Sequence, residues 1–159
     1  MKKQLIKIIL AVLLFLSCQS VFAKDLSIAP DFTLSDTQNK TVTLSNYKNK
    51  QPVLLFFWAT WCPFCREEFK GLNNDYSDLV RDNVELLAID IGEPVAKVNN
   101  FTKNFVVVFK VLLDQDSAAA SSYNLVGIPT FILINKNGEI VFRDHYFPKQ
   151  YKNLLSNLK

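Results

Sequence analysis

Cys62 and Cys65, in the segment Trp61-Cys62-Pro63-Phe64-Cys65, are the side chains of this sequence best suited to covalent chemistry. A Cys-x-x-Cys pair can exchange disulfides, form half of a zinc site or attach haem, and the surrounding residues discriminate among these. Zinc would need two further ligands, yet there is no second cysteine pair and the single histidine, His145, lies far downstream. Covalent haem needs a histidine directly after the second cysteine, and Arg66 stands there. A purely structural bridge over so short a loop would contribute little entropy. Redox exchange remains, in which one thiolate attacks a disulfide and a second thiol displaces the product. Neither a metal nor an organic cofactor is expected.

That chemistry depends on where the pair sits. Residues 52–59 (PVLLFFWA) form an apolar run without polar alternation, as expected of a strand covered on both faces in the middle of a sheet. From Pro63 to about Leu79, Phe64, Phe69, Leu72, Tyr76 and Leu79 recur at helical spacing. The cysteines therefore lie where a buried strand passes into a helix. Unpaired amides and the helix dipole there favour a thiolate on Cys62, while the first turn brings Cys65 back beside it. Cys62 is thus the expected attacking sulfur, and Cys65, more covered, the resolving one. Pro63 suits the first helical position because it lacks the amide hydrogen that would go unpaired there. Trp61 is expected over the edge of the site and Trp58 in the core. Phe64, between the cysteines, is placed to meet substrate and tune the potential.

The remaining elements alternate strand and helix. The segment APDFTLSD, a polar turn at 37–40 and TVTLSNY suggest an N-terminal hairpin. Residues 84–91 (VELLAIDI) read as a second buried strand, 95–105 as a helix, 106–113 as a hydrophobic β-branched stretch and 117–123 as a short helix. Residues 130–135 read as a strand, turning at Asn137-Gly138 into 139–143, and 148–158 as a closing helix with Tyr151, Leu154, Leu155 and Leu158 on one face. The expected fold is α/β, a central mixed sheet flanked by helices.

The chain has 159 residues, 49% hydrophobic and 21% charged, enough for one domain with its own core. Its formal charge of +3 comes from the first 23 positions, where Lys2, Lys3 and Lys7 meet no acid; the rest carries fifteen basic against fifteen acidic residues. No basic field remains to attract nucleic acid. The short basic start and the nine apolar residues 8–16 read as an export signal, too short to span a bilayer unaided. Val21 and Ala23 fit a cleavage site before Lys24, which would leave a domain over 24–159. The alternatives are a lipoprotein box ending at Cys18, which would carry the lipid, or an uncleaved anchor. Each places the domain outside the cytoplasm, where a cysteine pair can cycle.

WCPFC at a strand-to-helix junction, GIPT downstream and a βαβ, hairpin, helix order resemble a thioredoxin-fold protein. More narrowly, APDFTLSD, LLFFWATWCPFCREEF, ELLAIDIGEP and GIPTFILINKNGEI resemble the TlpA/ResA-like family of exported bacterial thiol:disulfide oxidoreductases. The resemblance implies a cis peptide before Pro129 facing the cysteines, leaving the backbone of Ile128 free to pair with an extended substrate strand. It also implies an acidic residue near the buried cysteine, in a βαβ insert of the basic fold, which maps onto Glu93. A raised carboxyl there could take the proton of Cys65. Thioredoxins carry a buried Asp where Phe56 stands here, which increases the need for another base.

The resemblance favours a reductant of protein disulfides, for example of apocytochrome c before haem attachment, recycled by a membrane-bound thiol donor. The same cysteines at a higher potential would form disulfides instead. APDFTL also opens many peroxiredoxins, but those need Thr or Ser three residues before the reactive cysteine, where Ala59 stands. A binding module that used the groove by Pro129 without turnover would not need both cysteines.

Overall fold

The structure is a computed structural model and describes residues 26–156. The leader at 1–23, with the cleavage and lipidation readings at Cys18, and Leu158 of the closing helix lie outside the described residues.

A hairpin of β1 (Thr33–Asp36) and β2 (Thr41–Thr43) leads through a 3-10 turn (Leu44–Tyr47) to β3 (Val53–Trp58) and α1 (Pro63–Arg81). There follow β4 (Glu85–Ile91), α2 (Val95–Thr102), β5 (Lys110–Asp114), α3 (Ala118–Ser122), β6 (Thr130–Ile134), β7 (Ile140–Asp144) and α4 (Tyr151–Ser156). The strands form one seven-stranded sheet in the order β2-β1-β5-β4-β3-β6-β7. β4 runs parallel to β3 and β5, as helical crossovers require, and the other pairings are antiparallel. This is the expected mixed sheet with an N-terminal hairpin. The insert is α2 and β5, between β4 and α3.

β3 occupies the centre, paired along one edge with β4 and along the other with β6, and all six of its residues are buried. Side chains alternate between faces along a strand. Leu54, Phe56 and Trp58 join Phe69, Leu72 and Leu79 of α1, Val98 of α2 and Tyr151 of α4 in one apolar layer. Val53, Leu55 and Phe57 join Ala119 and Ala120 of α3, with Phe32 and Leu44 from the hairpin side, in the other. The Tyr123 hydroxyl donates to the Pro30 carbonyl across 2.8 Å, fastening the N-terminal segment to this second layer.

Boundaries shift where pairing, not hydrophobicity, decides. The stretch 106–113 is strand only from Lys110, where pairing with Leu87 of β4 begins. Val106, with no strand beside it, is 80% exposed, while Phe109 turns back onto Phe69 at 5.1 Å between ring centroids. α2 ends at Thr102, three residues short of the expected end, and α4 starts at Tyr151 rather than 148. α1 runs to Arg81, and Asn83, at φ 56°, turns the chain into β4.

Phe69 is the hub of the first layer, in aromatic contact with Trp58, Phe101, Phe105 and Phe109. Its replacement by alanine is expected to cost about 3–5 kcal/mol in urea unfolding, as buried Phe truncations do. Val126→Ala, at a fully exposed position, should stay within about 0.5 kcal/mol of the parent. Equal midpoints for the two variants would mean that this aromatic cluster does not organise the core.

Candidate active site

β3 ends at Trp58, and four residues later the chain re-enters regular structure at α1, so the cysteine pair is delivered by the most constrained strand of the sheet. Cys62 is the N-cap of α1, in an extended conformation (φ −83°, ψ 113°), with Pro63 in the first turn. Its sulfur accepts the Cys65 backbone N–H at 3.2 Å. A thiolate here would meet an amide that has no carbonyl partner within the helix and the positive end of a 19-residue helix. Cys62 and Cys65 form a disulfide, with Cα atoms 5.2 Å apart. Cys62 is 4% exposed and Cys65 wholly buried, so the outer sulfur is the one a partner can reach.

The loop before β6 closes over the pair from the other side. The Ile128–Pro129 bond is cis, and the Ile128 carbonyl oxygen lies 3.8 Å from Cys62 Sγ. Pro129 is buried, and its own carbonyl accepts a hydrogen bond from His145 Nδ1 at 2.7 Å. Around this contact the surface is apolar: Trp61 is 64% and Phe64 76% exposed. Trp61, Ile91, Leu125, Val126 and Ile128 line a shallow groove beside Cys62. Phe64, counted with the apolar positions of the helix, faces solvent, and Cys65 beside it in the same turn is the residue that enters the core.

Two buried carboxyls lie at the C-terminal end of β4 and in the loop that follows it. Glu93, 4% exposed, accepts from the Thr60 backbone N–H (2.5 Å) and hydroxyl (2.9 Å) and pairs with Lys97 Nζ (2.5 Å). It thereby ties the loop carrying Cys62 to the start of α2. Burial would raise its pKa, but the Lys97 ammonium and the Thr60 donors outweigh burial and hold it below the usual glutamate value. The expected raised carboxyl is therefore not Glu93. It is Asp90, at the end of β4 beside Trp58 of β3 and wholly buried, where desolvation and then the neighbouring Glu93 push it up to about 8. The protonated Asp90 carboxyl lies against Glu93 and shares its proton with it, and among the described residues no hydrogen bond joins either carboxyl to a sulfur.

Cys62, Cys65, Trp61, Pro63, Phe64, Ile128 and Pro129 thus converge at one end of the sheet, with Glu93 bound to the same loop through Thr60. Sequence reasoning missed Asp90, Thr60, Lys97 and the His145 contact. Asp90 did carry a signal, because an Asp inside VELLAIDI, a strand covered on both faces, must be buried. Thr60, Lys97 and His145 carried none, since their partners are set by the approach of separate elements. No group of metal ligands occurs among the described residues.

Residues 27–143 match the AhpC/TSA family. The chain is 38% identical over 152 residues to the thiol-disulfide oxidoreductase ResA of Bacillus subtilis, spanning 88% of this chain and 84% of that protein. It is 39% identical over 114 residues to ResA of Geobacillus kaustophilus, spanning 72% of this chain and 65% of that protein's length. Among solved structures, the thioredoxin domain of a thiol-disulfide oxidoreductase from Bacteroides vulgatus superimposes with a TM-score of 0.71 at 24% identity, covering 84% of this chain and 96% of that one. The fold is thioredoxin-like.

Asp90 binds its proton more tightly folded than unfolded, so its contribution to stability is complete below about pH 4 and is lost as pH rises through about 8. Urea unfolding of the wild type and Asp90→Asn should therefore show a wild-type advantage that shrinks from pH 5 to pH 9. A difference that is constant over this range would show that Asp90 is not the shifted group.

Proposed function

This chain belongs to the AhpC/TSA family and is a thiol-disulfide oxidoreductase of the ResA type, and from that premise we propose that it is exported and reduces disulfides in protein substrates. The arrangement that carries the reading is the single outer sulfur, Cys62, at the N-terminus of α1 against the Ile128 carbonyl, with Cys65 buried one turn below. In the reduced state the Cys62 thiolate attacks a substrate disulfide, forming a mixed disulfide and releasing one substrate thiolate. Cys65 loses its proton and attacks Cys62 Sγ, which frees the second substrate thiolate and restores the bond present in this structure. A membrane-bound thiol donor then reduces the pair for the next cycle.

Substrate docks beside the cis-Pro129 loop, its backbone pairing with Ile128 and its side chains resting on Trp61, Pro63 and Phe64, the exposed apolar collar around the sulfur. Glu93, ionised and fixed to Thr60, is the carboxylate through which the proton of Cys65 exchanges with solvent, with Lys97 half-exposed at its outer side. Residues 1–23 direct export, by cleavage before Lys24, lipidation at Cys18 or retention as an anchor, and 24–159 form the working domain. Apocytochrome c thiols awaiting haem are the substrate class that the resemblance favours.

Cys62→Ser is expected to abolish reduction of insulin disulfides, and Cys65→Ser to trap substrate as a stable mixed disulfide on Cys62. Equilibration of the wild type with dithiothreitol should give a potential more reducing than the roughly −180 mV of protein disulfide isomerase. A more oxidising value would assign the same site to disulfide formation. Thiol-dependent peroxide consumption that survives Cys65→Ser would assign it to peroxidase chemistry.

A further inference from the structure

The loop that meets Cys62 from the side of β6, residues 124–129, lies beyond the ladders of the sheet. β6 pairs with β3 only from Thr130, opposite Phe57, and with β7 only from Phe131, opposite Asp144. On its other side the loop begins where α3 ends, at Ser122 and its cap Tyr123. Packing does not hold its crest either, since Val126 is fully exposed. A backbone so placed keeps one shape only if other groups take up its polar atoms.

Two side chains from the end of β7 do this at both ends of the loop. Arg143 is in register with Ile132, on the face of the sheet where Tyr123 packs, and its Nη1 donates to the Tyr123 carbonyl at 2.7 Å. His145, just past the end of β7, donates from Nδ1 to the Pro129 carbonyl at 2.7 Å. A carbonyl oxygen only accepts, so Nδ1 carries the hydrogen in this contact. Asp144, between the two, accepts the His145 backbone N–H at 2.7 Å where the chain leaves the strand. Tyr123 and Pro129 are buried, and the exposed stretch lies between them. Within that stretch the Thr130 hydroxyl holds the Gly127 carbonyl at 2.6 Å. Among the described residues no backbone group pairs with Ile128, whose carbonyl faces Cys62 Sγ at 3.8 Å.

We propose that Arg143 and His145 are positioning residues for disulfide exchange, clasping the loop at Tyr123 and at Pro129 so that the Ile128 backbone stands ready for a substrate strand beside Cys62. The proposal rests on the disulfide-exchange reading of the site and adds to it what prepares the loop for substrate. A loop free to move would have to be ordered each time substrate binds, and that cost would be taken from the binding free energy. It would also let the incoming disulfide sit off line from Cys62, to which attack is sensitive. Both residues act through backbone carbonyls, and neither is a hydrogen-bond partner of either sulfur. The reactivity that α1 confers on Cys62 is therefore outside their reach. Their influence depends on whether the substrate has a backbone to pair with Ile128.

The test compares two oxidants of the reduced protein in stopped flow: an uncharged disulfide peptide, which can pair with Ile128, and dithiodipyridine, a neutral disulfide without a backbone. His145→Leu and Arg143→Met should each slow attack on the peptide roughly three- to tenfold, the scale of one hydrogen bond, and attack on dithiodipyridine by less than about twofold. His145→Asn, whose side-chain amide offers an N–H where Nδ1 stands, should recover most of the peptide rate. A general loosening of the fold would slow both oxidants and would not be cured by asparagine. Equal slowing with both oxidants, or none with either, would overturn the proposal. Failure of the wild type to reduce the peptide at all would instead overturn the exchange reading beneath it. If the variants do not fold, the wild type decides: 15N shifts of the His145 ring at alkaline pH must show the hydrogen on Nδ1, and a bare Nδ1 would refute the clasp.

Discussion

A charge can be held on a sulfur only where fixed dipoles face it, and here the fixing comes from the central strand. β3 is paired on both edges and covered on both faces, so its C-terminal end has almost no freedom, and Cys62 leaves it after a four-residue turn. α1 starts at that turn with a proline that needs no amide partner and an amide aimed at the sulfur. The same strand seats the rest of the site, because β6 and β4 are its two neighbours. β6 follows directly on the cis-Pro129 loop, and β4 ends at Ile91, just before the Glu93 turn. Three segments distant in sequence therefore meet at one end of the sheet.

The two apolar layers do different work. The layer beneath α3 and the hairpin is closed by packing, with Tyr123 hydrogen-bonded outward to Pro30. The layer beneath α1 and α2 is rich in aromatic rings, and it also holds Cys65 and Asp90. Low polarity there favours neutral species, a thiol or a disulfide on sulfur and a protonated acid on carbon. The outer cysteine experiences the opposite influence, from helix amides and the positive helix end. Two sulfurs three residues apart are thus given different acidities by the direction each faces. The insert built of α2 and β5 deepens this contrast, since Val98 and Phe101 cover the inner compartment while Lys97 balances Glu93 at its rim.

Much of this was legible before any coordinates. The unbroken run at 52–59 reads as a central strand, the spacing of Phe69, Leu72, Tyr76 and Leu79 reads as a helix, and their junction falls on the cysteines. Cys62 as the outer sulfur and Cys65 as the inner one follow from counting along a helix. The stretch at 106–113 shows the limit. Its hydrophobicity was read as strand throughout, but a strand needs a partner, and only the part from Lys110 has one.

What the amino-acid order determined by itself is the set of local facts: which segments bury, where the helix begins, and which sulfur caps it. These depend on periodicity and near neighbours along the chain. Only the tertiary structure decided which carboxyl is neutral. Asp90 lies inside the apolar run of β4 and Glu93 three residues on, just past it; their order marks Asp90 as buried but does not say which of the two keeps its proton. Glu93 is ionised because Thr60 and Lys97 reach it, and Asp90 keeps its proton because burial, and then the Glu93 carboxylate beside it, oppose its ionisation. Electrostatic free energy depends on distance and on the medium through space, and neither is defined until the elements have packed.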